Sequence, residues 1–333
     1  MWMNKLDSLT NEEILKLKIK DLNLDIPSKY RGAIKVLNSL LKSKGINWMP
    51  HYWLSNEWFS ADGIPGIAIP FTLCHPKLIK LEKQFLGHCE GESPQEFFKI
   101  LCHETGHAID NAFKLRLKKR RQKLFGLTSK KYPKSYKPNP LIADQFVTHF
   151  EDFYAQAHPD EDWAETFAIW LSTNNWRSKY KNSTALNKLI YIDQLMSELR
   201  DKDHIKNQKT YEHYKEDGRT VYQFLIDKKK QLGKNKSNYY RNKVQDLFLS
   251  SDSKISANSY LLKMKNNIIN NLLEETNYDF WTVNKCFNEL EDECKNKKYV
   301  LKYDINTTEH KIQKLLIGNI DQFIRSGKTR IYL

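Results

Sequence analysis

Residues 99–110 read KILCHETGHAID and bring His103, Glu104 and His107 together. Two histidines four apart on a helix project from one face, a turn apart. His-Glu-x-x-His is the spacing in which two imidazoles bind Zn²⁺ and the glutamate acts on the metal-bound water. The ordinary alternative is an amphipathic helix with two surface histidines. Helical periodicity puts Phe98, Leu101, Cys102, Thr105, Ala108, Ile109 and Ala112 on the opposite, mostly apolar face, so the histidines look into a different space.

Two nitrogen donors do not complete a catalytic zinc site, which takes a third protein ligand and leaves the fourth position to water. The best source of that ligand is FYAQAHPDEDWAETFAIWL, residues 153–171. Glu161 and Glu165 are four apart and share a face, while Trp163, Phe167, Trp170 and Leu171 form an apolar stripe on another. Such a pair suits a ligand followed one turn later by a carboxylate that holds the second N–H of a ligand histidine. The competing reading is a solvated acidic face at a helix N-terminus, where the helix dipole favours acids. His149, His158 and Asp162 are further donors, and Glu165 is the main rival to Glu161.

HETGHAID followed by EDWAE at residues 161–165 resembles the gluzincin zinc peptidases. The closest branch is the lethal-factor type of toxin peptidase, together with bacterial zinc-binding peptidases that carry an E-D-W-A-E segment. The resemblance covers roughly residues 60–175, and the 107-to-161 separation is long for the family. It implies a zincin-like domain holding one zinc per chain through His103, His107 and Glu161, with Glu165 behind a ligand histidine. It also implies that Glu104 is the general base of peptide hydrolysis, and that Tyr154, seven positions before Glu161, assists the oxyanion. Residues 66–71 are then expected to be an edge strand beside which an extended peptide substrate adds.

These groups need elements to carry them. Ser93 is an N-cap, Pro94 stands at the first helical position, and Glu96 completes a capping box, so a helix is expected from 94 through His107 to about Gly126. Three prolines make 130–140 a loop, and helices are expected at 141–156 and, with Pro159 at its start, 159–173. Upstream, 10–45 reads as two short helices, 48–73 as one to three short strands with Pro70 marking an edge, and about 76–85 as a helix. From about 183 the chain is Lys/Asn-rich and mostly helical, with loops at 233–238 and 250–256, and it shows no internal repeat. The expected class is α+β, predominantly helical. A zincin-like peptidase domain with a small sheet spans 1–204, and a helical C-terminal region of unassigned role spans 205–333.

The chain has 333 residues, 40% hydrophobic, with 8 Trp, 17 Tyr and 16 Phe, enough apolar surface for a sizeable core and too much for a disordered chain. No run reaches the roughly 18 apolar residues that span a bilayer, and no uninterrupted apolar h-region opens the sequence. Five cysteines without a C-x-x-C pair read most simply as a reduced, cytoplasmic protein; a leaderless export route leaves no such mark. Net charge is +14, and residues 111–140 hold eleven Lys/Arg and no Asp/Glu. Within the 114–137 stretch, Lys118, Lys119, Arg120 and Arg121, interleaved downstream with Tyr132 and Tyr136, suggest a surface for nucleic acid or an acidic partner, set against a plain solvated loop. The alternative function is therefore a nucleic-acid or acidic-partner binding protein whose metal site is structural or vestigial. The sequence names no substrate.

Overall fold

The computed structural model describes residues 6–150, 153–200, 202–232, 239–240, 243–250, 256–295, 297–326 and 331–332. The expected loop at 233–238 lies outside them, as does nearly all of the one at 250–256. Two compact units emerge: Met1–Lys134 with Leu141–Lys234, and Ser135–Pro140 with Asn235–Leu333. The expected division at 204/205 differs from this, because the residues that follow are bonded to the first unit. Ile205 N–H donates to Ala112 O, Trp53 Nε1–H to Tyr211 O, Ile19 N–H to Arg219 O and Val221 N–H to Leu17 O. No helix of the described residues is long and apolar enough to cross a membrane.

In the first unit, α1 (Asn11–Lys16) and α2 (Ser28–Ser43) precede a parallel pair, β1 (His51–Ser55) and β2 (Gly66–Pro70), with Trp53 opposite Ala68. α3 (Pro76–Leu86) follows, then α4 (Pro94–Phe113), α5 (Lys119–Phe125), α6 (Pro159–Ser172), α7 (Leu186–Glu198) and α8 (Val221–Leu232). One apolar core, including Leu37, Ile69, Phe97, Leu101, Trp163, Phe167 and Ile192, runs through all of them. The predominantly helical α+β class is borne out. β2 is an edge of a two-stranded sheet, but it is buried along its whole length, and on the side away from β1 the Ala68 N–H donates to Phe59 O at 2.8 Å. Pro70 is tolerated because it ends the strand, where no further ladder bond is needed.

α4 begins as its sequence dictates, with Ser93 accepting from Glu96 N–H at 3.1 Å. It stops earlier than expected. Lys114 takes a left-handed conformation at φ 51°, a 3₁₀ turn (Leu115–Leu117) follows, and α5 starts afresh. The break has a physical reason. An unbroken helix rises 1.5 Å per residue and would carry residue 121 about 16 Å along the axis from residue 110. Instead the turn folds Arg121 back so that its guanidinium donates to Asp110 at 2.9 Å. The expected helix at 141–156 is likewise two 3₁₀ pieces, Pro140–Gln145 and Tyr154–Gln156.

α4 and α6 approach until their backbones touch. A Cβ on Gly106 would stand 2.8 Å from Ala164 Cα and 3.2 Å from Ala164 O. Trp163 Nε1–H donates to the Gly106 carbonyl at 2.7 Å across the same contact.

The second unit has its own core. α9 (Ala257–Glu275), α10 (Phe280–Cys294) and α11 (Ile305–Ser326) bury Leu261, Ile268, Leu272, Phe287, Leu290, Ile312 and Leu316. Short antiparallel pairs join β3 (Ser135–Tyr136) to β6 (Ile331–Tyr332), and β4 (Phe248–Ser250) to β5 (Tyr299–Leu301). All five cysteines are buried and free.

The Gly106 contact generates a stability prediction. In an open helix Gly→Ala gains about 1 kcal/mol. At Gly106 the added methyl meets backbone that cannot give way, and overpacking typically costs about 1–3 kcal/mol or more. Gly106→Ala should therefore be net destabilising in urea unfolding. An unchanged or higher midpoint would contradict the close approach.

Candidate metal centre

α4 and α6 bring four titratable side chains to their crossing. His103 Nε2 lies 3.1 Å from Glu161 Oε2 and 3.2 Å from His107 Nε2, and His107 Nε2 lies 3.4 Å from Glu161 Oε2. One donor atom from each of His103, His107 and Glu161 falls within 4.8 Å of the others. On the far side of the His103 ring, Nδ1 is 3.1 Å from Glu165 Oε1. A carboxylate only accepts, so Nδ1 carries a proton. Nε2 faces the Glu161 carboxylate and another imidazole nitrogen. The buried carboxylates call for positive charge here, as a proton on the imidazoles or as a metal ion between the donors.

The electrostatics agree. Burial by itself disfavours the charged imidazoles, but the hydrogen bonds and charges of Glu161 and Glu165 outweigh it and raise His103 to about 10. His107 is raised too, chiefly by Glu161, against the same burial. Glu161 is held well below the usual carboxylate range by His107 and His103, although burial pushes it up. Two imidazoles and one carboxylate, with room for a fourth donor, form the donor set of a catalytic zinc.

Each candidate residue can now be placed. Glu161 meets His103 at Nε2, on the side of His107, while Glu165 is behind the ring at Nδ1. Glu165 Oε2 is already occupied by the backbone N–H groups of His149 and Phe150, at 2.8 and 2.7 Å. The other donors have different partners: His149 Nε2–H donates to Lys99 O, His158 bonds Lys130 O and Asp160 N–H, and Asp162 pairs with Lys188. Glu104 is buried beside the pair, and its Oε2 has no hydrogen-bond partner. Burial raises its pKa, with His107 and His103 opposing. The Tyr154 ring centroid is 5.7 Å from that of His103.

The solvated-face reading of α6 does not survive. Asp160, Glu161, Asp162 and Glu165 are 5%, 5%, 3% and 0% exposed. Buried carboxylates persist only when paired and hydrogen-bonded, and each of these is: Asp160 by Arg121 and Thr128, Asp162 by Lys188, and the two glutamates as described.

The basic stretch divides. Lys118, Lys119 and Arg120 are exposed, but Arg121 is fully buried between Asp110 and Asp160, 5.0 Å over the Trp163 ring. Arg121 is therefore removed from any partner-binding surface. It is an internal tie between α4, α5 and α6. Tyr132, grouped by sequence with the basic patch, turns its hydroxyl to Glu161 Oε1 at 2.9 Å.

A cleft of about 400 Å³ opens over these groups, lined also by Trp58, Phe59, Asp62, Tyr132 and Tyr154. Asn111 holds the 61–64 loop that carries Asp62. Its Nδ2 donates to Ala61 O and Ile64 O, and its Oδ1 accepts from Gly63 N–H and Arg116. Sequence reasoning missed this residue, although its position one turn after His107 on the same face was a usable signal.

Residues 91–237 match the model of a family described as "Putative zinc-binding metallo-peptidase", a span that holds His103, Glu104, His107, Glu161 and Glu165. Over that span the chain is similar to zinc metallopeptidases. No curated protein and no solved structure matches it.

The split within the basic stretch is testable by unfolding. Arg121→Ala leaves two buried carboxylates short of a partner and should cost about 3–5 kcal/mol. Lys118→Ser, Lys119→Ser and Arg120→Ser should each stay within about 0.5 kcal/mol of the unaltered protein. Equal midpoints for all four variants would remove Arg121 from its structural role.

Proposed function

We propose that the chain is a zinc-dependent peptidase that hydrolyses peptide bonds in an extended substrate lying across the cleft. The observation that carries this is the convergence of His103, His107 and Glu161 beside a buried glutamate oxygen that has no partner. The family similarity over residues 91–237 supports the same class. Glu161 in place of a third histidine, with Glu165 behind His103, favours the gluzincin arrangement.

His103 Nε2, His107 Nε2 and Glu161 Oε2 would hold one zinc per chain. Bound zinc supplies Lewis acidity, which polarises a carbonyl and lowers the pKa of water towards about 7. Glu104 takes the proton of the attacking water at its free Oε2 and later delivers it to the nitrogen of the leaving amine. Tyr154, on the cleft wall, donates to the oxyanion that develops on the scissile carbonyl oxygen. Glu165 fixes the tautomer of His103 by accepting from Nδ1, so that Nε2 faces the metal. Trp58, Phe59 and Tyr132 give the cleft an aromatic lining against which substrate side chains can pack.

Zinc content and peptide turnover, read in parallel, test this. Glu104→Gln should keep the zinc and lose about 10²–10⁴-fold in rate. Glu161→Ala should lose the zinc, and Glu165→Gln should weaken zinc binding or activity by about 10–100-fold. Turnover undiminished in Glu104→Gln would sink the general-base assignment. Full zinc retention in Glu161→Ala would move the third ligand elsewhere.

A further inference from the structure

The two oxygens of Glu161 meet different chemistry. Oε2 faces the two histidine nitrogens at 3.1 and 3.4 Å. Oε1 accepts the hydroxyl proton of Tyr132 at 2.9 Å. We propose that Tyr132 is a positioning residue that occupies Oε1, confines Glu161 to one-oxygen ligation and so keeps a coordination position open for water. This inference rests on the zinc reading above.

A carboxylate beside a cation binds through one oxygen or both. A second oxygen ligand from Glu161 would fill the place that a catalytic zinc reserves for water. A hydrogen bond to the anionic oxygen is charge-assisted and competes with that second contact.

Tyr132 is well fixed for such a task. Its ring stacks on His158 with centroids 3.7 Å apart and planes 17° from parallel. His158 is itself locked: Nε2–H donates to Lys130 O at 2.6 Å, and Nδ1 accepts Asp160 N–H at 3.2 Å, capping the helix that bears Glu161. The loop at 130–132 and the first turn of α6 are thereby joined, and the hydroxyl is registered to the carboxylate three residues beyond the cap. The long segment between His107 and Glu161 thus returns a side chain to the metal centre. Because the ring is held by stacking, Tyr132→Phe removes the donor and leaves the platform.

Cobalt substitution of the full chain tests the inference without needing a substrate. Four-coordinate Co²⁺ absorbs strongly in the visible, and five- or six-coordinate Co²⁺ weakly, so the spectrum reports ligand number. The metal-free protein, Tyr132→Phe and Tyr132→Leu are each loaded with one equivalent of Co²⁺ after chelator treatment. Expected is a strong four-coordinate band in the unaltered protein and a several-fold weaker band in Tyr132→Phe, with one cobalt still bound. Identical spectra in the two overturn the proposal. So does a change confined to Tyr132→Leu, which would mean that only the stacked ring matters, and so does a weak band in the unaltered protein. Failure of the unaltered protein to take up cobalt or zinc at all would sink the metal reading itself, and this inference with it.

Discussion

The centre depends on one constraint: α4 and α6 touch backbone to backbone at Gly106 and Ala164. Each helix carries a site residue three positions before the contact and another one position after it. These are His103 and His107 on α4, and Glu161 and Glu165 on α6. Residues at that spacing lie on the face that meets the neighbour, so one crossing point gathers all four. A side chain at 106 would force the helices apart and lengthen the 3.1 and 3.4 Å separations on which the donor set rests. The Trp163 indole, bonded to the Gly106 carbonyl and packed in the core, holds the crossing in register.

Burying four carboxylates on one helix is costly unless each is matched, and that requirement shapes the surrounding chain. Arg121 returns to Asp110 and Asp160 only because the chain turns at Lys114. Lys188 reaches Asp162 from α7, bonding the Gln145 carbonyl on the way. The long connection between α4 and α6 supplies Arg121, Thr128, Tyr132 and the backbone donors at 149 and 150 to the acids of α6. It is part of the centre's support and not a spacer. α6 has little prospect of standing alone, since its polar groups find partners only after α4, α5 and α7 are in place.

The site is also asymmetric about His103. One ring nitrogen is fixed by a carboxylate that is bonded to backbone and fully buried, and the other faces the cleft. The inner carboxylate meets Nδ1, and the outer one, with its second oxygen held by Tyr132, stands with His103 and His107 in the group that could hold a metal. Asn111 on the same helix holds the 61–64 loop, so α4 carries His103, His107 and the buried Glu104 and also fixes a neighbouring loop.

Much of this was legible in the sequence. His-Glu-x-x-His puts two imidazoles on one helix face, Ser93 and Pro94 mark a helix start, and the glutamate pair in EDWAE shares a face; all are local regularities governed by helix period and capping. Local period does not say which glutamate meets which nitrogen of His103, because the two are equivalent until a partner helix chooses between them. The tertiary structure placed Glu161 towards His103 Nε2 and Glu165 towards Nδ1. It also made Arg121 an internal cation while leaving its neighbours Lys118, Lys119 and Arg120 in solvent. Tyr132 turned from the basic patch to the Glu161 carboxylate, and β2 was buried along its whole length. These outcomes depend on pairing and desolvation between residues far apart in the chain, and the identity and spacing of near neighbours carry no record of them.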